Sequence, residues 1–315
     1  MDRAAPAPNL SQTKIQPESE RNHFDSHGNE TQQHFQPVMA VFACSACDMK
    51  RGHCRGPCGR DMTIPDDPAG GVGTEFSGED YDEAYPPGYE RHYWHLARGD
   101  IVRDCVRSVC RKGDTVLEVG AGRGHYVGML RAAGFDAYGC DLGSPRVHEH
   151  VRAFVFSGTD FADLDADLRS RVTAVLLLDV IEHIEHPADF LASVFQALPA
   201  LGAIIITVPA RQELWSNYDE HYRHFLRYDI RRLREVARSS HLSIDSWSYF
   251  FHALYVPAWI LKRIGLNRAT AFVAPATPWL HRLLGRAFLL ESRLLPKSVW
   301  GTSLLCVCRP ETRKG

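Results

Sequence analysis

Asp114-Thr115-Val116-Leu117-Glu118-Val119-Gly120-Ala121-Gly122-Arg123-Gly124-His125-Tyr126 is the stretch that decides how the chain is read. An apolar, β-branched run enters a glycine-rich turn and leaves as an apolar-periodic helix that reaches Ala133. Three glycines at alternate positions let the backbone turn sharply and approach a ligand where a Cβ would collide. The N–H groups that open the helix point into the same space. This is a nucleotide cradle, and the rest of the sequence must say which nucleotide.

The bulk properties set the bounds. A length of 315 residues allows one large domain with appendages. Lys and Arg number 36 against 38 Asp and Glu, so the formal charge is -2. That balance gives no whole-protein field for nucleic acid. The first forty residues hold no apolar core of a secretory leader, and no apolar run is long enough to span a bilayer. Nine cysteines, an odd number, read as reduced thiols in a cytoplasmic protein.

Outward from the cradle, the N-terminal side is poor in residues to bury. Residues 1–40 are rich in Pro, Ser, Gln and Asn and are expected to be a disordered tail. Residues 41–60 form a Cys-rich segment in which Cys44, Cys47, Cys54 and Cys58 are the right residue types for a structural zinc knuckle. Four protein ligands would close such a shell and leave no position for a substrate. Residues 61–84, with Pro65-Asp66-Asp67-Pro68 and an acidic run, are expected to be a linker. The folded domain is expected over 85–310. It begins with a helix in which Tyr93, Trp94, Ile101, Val102, Cys105, Val106 and Val109 share one stripe.

From the cradle onward, strand and helix patterns alternate. Strands are predicted at Thr115–Val119, Asp136–Cys140, Val151–Phe156, Val172–Leu178, Ala203–Val208, Leu242–Phe251 and Ser303–Cys308. Helices are predicted at Ala188–Leu198 and Tyr228–Ser239. Such alternation predicts an α/β fold, a parallel sheet covered on both faces. Ligands of these sheets bind outside the carboxyl ends of the strands. Asp141, Asp160 and Asp179 to His183 all follow strands and are therefore candidate site residues.

A dinucleotide fingerprint places a third glycine where His125 stands. Glu118-Val119-Gly120-Ala121-Gly122-Arg123-Gly124 instead resembles the first motif of the Rossmann-like, class I S-adenosylmethionine-dependent methyltransferases. Asp179-Val180-Ile181-Glu182-His183 is similar to the post-strand segment of the small-molecule group that includes the ubiquinone-pathway O-methyltransferases. Asp219-Glu220-His221-Tyr222-Arg223-His224 is similar to that group's region after strand five. The resemblance implies a seven-stranded sheet of order 3-2-1-4-5-7-6 with the last strand antiparallel. It also implies cofactor contacts from Glu118, Gly120, Ala121, Gly122, Gly124, Asp141, Asp160, Asp179 and Val180.

Methyl transfer is an in-line displacement, and an oxygen or nitrogen acceptor must also lose a proton. Histidine titrates near neutral pH, so His221 and then His183 are the expected bases. Glu182, His183 and His186 do not have the His-Glu-x-x-His spacing of a zinc hydrolase. The expected acceptor is a small molecule, a glycan or a lipid-linked compound. Residues 252–300 are an expected helical insert: a cap over the cleft, a homodimer contact, or a helix lying peripherally on a membrane. Two other functions share this fold: a nicotinamide-dependent oxidoreductase, and a binding protein that keeps the fold without chemistry. No Tyr-x-x-x-Lys set supports the first. Intact Gly120, Gly122, Gly124 and Asp141 oppose the second. No nucleic-acid partner is expected, because neither a basic excess nor the relevant post-strand motif is present.

Overall fold

The computed structural model describes residues 78–270 and 275–311. The expected tail, the Cys-rich segment with Cys44, Cys47, Cys54 and Cys58, and the linker up to residue 77 lie outside the described residues.

Strands β1 (Thr115–Val119), β2 (Asp136–Asp141), β3 (Val155–Ser157), β4 (Val172–Leu178), β5 (Ala203–Pro209), β6 (Leu242–Phe250) and β7 (Ser303–Pro310) form one sheet. Its order is β3-β2-β1-β4-β5-β7-β6. The pairings among β3, β2, β1, β4 and β5 are parallel, and β7 runs antiparallel to both β5 and β6. In register, Val119 lies beside Cys140 of β2 and Leu177 of β4, so three strand ends meet at one edge.

The helices are α1 (Gly78–Ala84), α2 (Tyr93–Val109), α3 (His125–Ala132), α4 (Ala166–Arg171), α5 (Pro187–Ala197), α6 (Asn217–His221), α7 (Ile230–Ser239), α8 (Tyr255–Arg263) and α9 (Pro278–Leu294). The central strands are nearly continuous Val, Ile and Leu because both faces are covered. Alternate residues feed two cores. Leu117, Leu177 and Ile204 face one, with Leu191 and Tyr228. Val116, Leu176 and Ile205 face the other, with Val127 and Val102. Each fully buried Leu or Ile contributes roughly 1.5–3 kcal/mol, so the sheet centre is the most stable part of the fold.

Two predicted segments differ. Val151–Phe156 was expected as a strand, but Glu149–Phe154 is a 3-10 turn and β3 is only three residues long. Val151 lies before the strand and Val155 opens it, paired with Gly139, and both pack over the cradle turn at Gly124. Gly78–Ala84, read as the end of a linker, is a helix with Tyr81 and Ala84 buried. The acidic residues around Tyr81 masked a segment that packs through one aromatic ring. In the insert, α9 lies on α2, with Gly285 against Leu96 and the Phe288 ring 5.4 Å from that of Tyr93.

Candidate active site

A cavity of about 800 Å³ opens along the carboxyl edge of the sheet. The cradle turn, the ends of β2, β4 and β5, the loop before α7, and residues of α1, α2, α6 and α8 line it. At its centre the turn passes through Gly120 at φ 77° and Gly122 at φ 51°. A Cβ on Gly120 would stand 2.8 Å from Val180 Cγ2, and one on Gly122 would stand 3.3 Å from the Tyr85 ring. Side chains rarely adopt this left-handed backbone, and here they would also meet neighbours.

Glu118 is buried beneath the turn, where it accepts a hydrogen bond from the Val127 N–H in the first turn of α3. That donor has no partner within its own helix. Burial pushes the Glu118 carboxyl up to about 8. The carboxylate therefore holds the turn and helix together and is not part of the cavity wall. At the end of β2, Asp141 gathers three donors. Oδ2 accepts the Gly122 N–H at 2.8 Å, and Oδ1 accepts the Gly143 N–H at 2.9 Å and the Tyr81 hydroxyl at 2.5 Å. Asp160 also lines the cavity and accepts the Ala162 N–H at 2.7 Å.

The end of β4 is built around an ion pair. Asp179 adopts a left-handed backbone at φ 59°, which Asp tolerates better than most residues. Its carboxylate meets Arg98 of α2 at 2.8 Å. The Arg98 guanidinium also donates to Tyr126 Oη at 2.9 Å and to Thr207 Oγ1 at 2.7 Å. Burial alone would weaken the Arg98 charge, and Asp179 with Tyr126 more than offsets it. Arg98 thus ties α2 to β4, β5 and α3 at the cavity wall. Sequence reasoning did not single it out, although an arginine at 98 within the 94, 101, 102, 105 apolar stripe is a visible anomaly.

Beyond Asp179 the chain makes a 3-10 turn at Ile181–His183. The Phe225 N–H donates to the Glu182 carbonyl at 2.7 Å, which docks the loop after α6 onto this turn. The docking brings the His183 and His224 ring centroids to 4.7 Å. Asp219 anchors that loop. It closes a capping box with Ser216, lies 2.9 Å from His224 Nδ1 and accepts from Arg227 Nε at 2.7 Å. Burial would raise the Asp219 carboxyl, but His224 and Arg227 prevail and hold it at about 2. Burial, then the nearby His224, lower His183 to about 3. Glu182 is fully buried, and burial together with Asp179 raises its carboxyl well above the usual range.

The structure brings Gly120, Gly122, Asp141, Asp160, Asp179, Val180 and His183 together around the cavity. Ala121 and Gly124 shape the turn from behind: Ala121 donates its N–H to the Cys140 carbonyl, and the Gly124 N–H returns to the Ala121 carbonyl. His221 stands outside the lining residues, with Nε2 3.2 Å from Glu83 Oε1. His224, Tyr85 and Tyr218 line the cavity from segments whose convergence is not local in sequence.

The sheet order with an antiparallel seventh strand, and an acid-x-Gly-x-Gly-x-Gly turn facing an acidic residue at the end of β2, define a Rossmann-like methyltransferase. A family model described as a methyltransferase domain matches residues 92–254, just over half of the chain, and the chain belongs to that family. It is a class I, S-adenosylmethionine-dependent enzyme. No curated protein matches the sequence. Similar solved structures include phosphoethanolamine N-methyltransferase 2 of Haemonchus contortus, solved with phosphomonomethylethanolamine and S-adenosylhomocysteine. It is 15% identical, with 75% of this chain and 61% of that one covered and a TM-score of 0.46. An S-adenosylmethionine-dependent methyltransferase of Archaeoglobus fulgidus is 15% identical over 67% of this chain and 94% of its own, with a TM-score of 0.40. The 1,6-didemethyltoxoflavin N1-methyltransferase of Burkholderia thailandensis is 14% identical over 70% and 81%, with a TM-score of 0.44.

The residues present fit the cofactor. Glycine at 120 and 122 keeps side chains off the turn where it lines the cavity. Asp141 Oδ2, which accepts only the Gly122 N–H, keeps a lone pair for a ribose hydroxyl, while Oδ1 is taken by Gly143 and Tyr81.

Proposed function

We propose that this enzyme methylates an oxygen or nitrogen of an apolar or lipid-linked acceptor that enters beneath α8. The observation that carries this reading is the two-faced character of α8. Pro257, Ala258 and Leu261 line the cavity, while Val256, Trp259, Ile260 and Ile264 are exposed. Trp279, Leu283 and Leu290 of α9 are also exposed, and Lys262, Arg263, Arg282 and Arg286 are interspersed. Large exposed apolar side chains grouped on a helix that also lines a cavity mark an interaction site. Indole rings with a basic rim suit the headgroup level of an anionic bilayer. No helix among the described residues is long and apolar enough to cross a membrane, which fits attachment at the surface.

S-adenosylmethionine, when bound, supplies a sulfonium methyl that is already activated for displacement. The chain's own residues would do the rest. Gly120, Gly122 and Asp141 would hold the nucleoside end. Asp179, fixed by Arg98, and Val180 would set the wall beside the methionine end. Tyr85, Trp94, Tyr218 and Tyr222 would exclude water and align the acceptor, the main contribution available to a protein in this reaction. His183 lies at the acceptor end. At about 3 its imidazole is neutral at physiological pH, so it offers a ring-nitrogen lone pair at that end and is not a standing acid.

The test uses methyl-labelled S-adenosylmethionine with the full chain and two substrates: a membrane-lipid extract and an aqueous metabolite extract. Label in the organic phase is the expected result. Label confined to water-soluble product would overturn the lipid-linked reading and leave the methyltransferase assignment standing.

A further inference from the structure

Glu182 is fully buried at the acceptor end, and its carboxyl meets no donor of another residue among the described residues. An unpaired carboxylate is among the costliest groups a fold can take out of water. The nearest guanidinium groups are committed: Arg98 to Asp179, and Arg227 to Asp219. Three carboxylates thus converge where two cations are built in, and the third faces a pair of imidazoles.

His183 and His224 each bring a ring nitrogen to Glu182, and the three donor atoms lie within 4.8 Å of one another. Both rings are oriented from behind. Asp219 Oδ1 holds His224 Nδ1 at 2.9 Å, which directs Nε2 of that ring to the group. A backbone hydrogen bond to Tyr222 orients His183. A carboxylate or carbonyl behind each imidazole is the support that fixes the tautomer of a metal-ligating histidine. His186, which sequence spacing would pair with His183, is not part of the group.

We infer that Glu182, His183 and His224 form a site for a divalent first-row transition metal, open on its remaining positions to an oxygen of the acceptor. Two imidazoles with one carboxylate suit zinc, iron, cobalt or nickel, whereas magnesium and calcium prefer oxygen shells. Metal–ligand bonds of roughly 2.0–2.2 Å bring donors to about 3–4 Å apart, so small side-chain rotations close the shell. Three protein ligands leave positions for a substrate, as a catalytic site requires. What the metal would hold rests on the proposed acceptor reading. That it binds does not.

The probe is Co²⁺, titrated into the chelator-stripped full chain and followed by calorimetry and absorption. A background with Cys44, Cys47, Cys54 and Cys58 all replaced by Ser removes the N-terminal thiols as competing ligands, and any remaining thiolate ligation is seen as near-ultraviolet charge transfer. The expected result is one Co²⁺ per chain with a visible band and no thiolate transition. Affinity should fall by at least about tenfold in both Glu182→Gln and His224→Gln. Glu182→Gln keeps the side-chain volume and replaces a buried carboxyl with a neutral amide, so it retains the fold, which circular dichroism checks. No Co²⁺ binding at millimolar metal, or equal affinity in Glu182→Gln, would overturn the site. S-adenosylhomocysteine affinity is measured on the same samples. Its retention without Co²⁺ binding rejects the metal alone, and its loss rejects the cofactor site.

Discussion

Glu118→Gln makes the sharpest stability prediction. The native carboxyl is raised from 4.5 to about 8 by burial, with Arg98 opposing and Asp141 adding to the shift. The sign follows from proton binding. Below pH 4.5 both native and unfolded chains carry the proton. Between 4.5 and 8 the unfolded chain ionises while the native one does not, so stability is progressively lost over that window and levels off above it. One proton over one pH unit is worth about 1.4 kcal/mol. From pH 6 to pH 8 the wild type should therefore lose about 2 kcal/mol relative to Glu118→Gln, whose amide oxygen can still accept the Val127 N–H. Guanidinium denaturation of both proteins at the two pH values gives the difference directly, because every other titration cancels. A gap that does not change with pH would show that Glu118 is ionised in the native state and would refute the reasoning.

Two further substitutions probe the cavity wall. Arg98→Met removes the partner of half-buried Asp179 and the donor to Tyr126 and Thr207; it should cost about 1–3 kcal/mol in chemical denaturation, and an unchanged stability would contradict its assigned role. Asp141→Asn keeps one acceptor oxygen but loses the charge that now gathers three donors; S-adenosylhomocysteine affinity should fall about tenfold or more by calorimetry, and an unchanged affinity would remove Asp141 from the site.

Much of the fold was legible because the central strands report burial on both faces. Thr115–Val119 and Val172–Leu178 were read to the residue. The edge was not legible: Val151 and Val155 are buried by packing over the turn, which has no period-two signature. Within the site, Gly120, Gly122, Asp141 and Asp179 could be read because each follows a strand, and topology places strand ends at the ligand edge. Arg98 sits in a helix that reads as plain core. Tyr81 sits in an acidic stretch that reads as linker. Glu182, His183 and His224 meet only because the loop held by Asp219 folds back onto the turn after β4, a contact that no local pattern encodes.

The central claim is that the turn from Gly120 to Gly124 cradles the methyl donor. The measurement that tests it most directly is calorimetric titration of S-adenosylhomocysteine into the wild type and Gly122→Val. At φ 51° a β-branched residue is strained by roughly 1–2 kcal/mol, and its side chain would press on Tyr85. The account predicts one site in the wild type and none in the variant, with unchanged circular dichroism. Absence of binding to the wild type, or equal affinity in Gly122→Val, would contradict it.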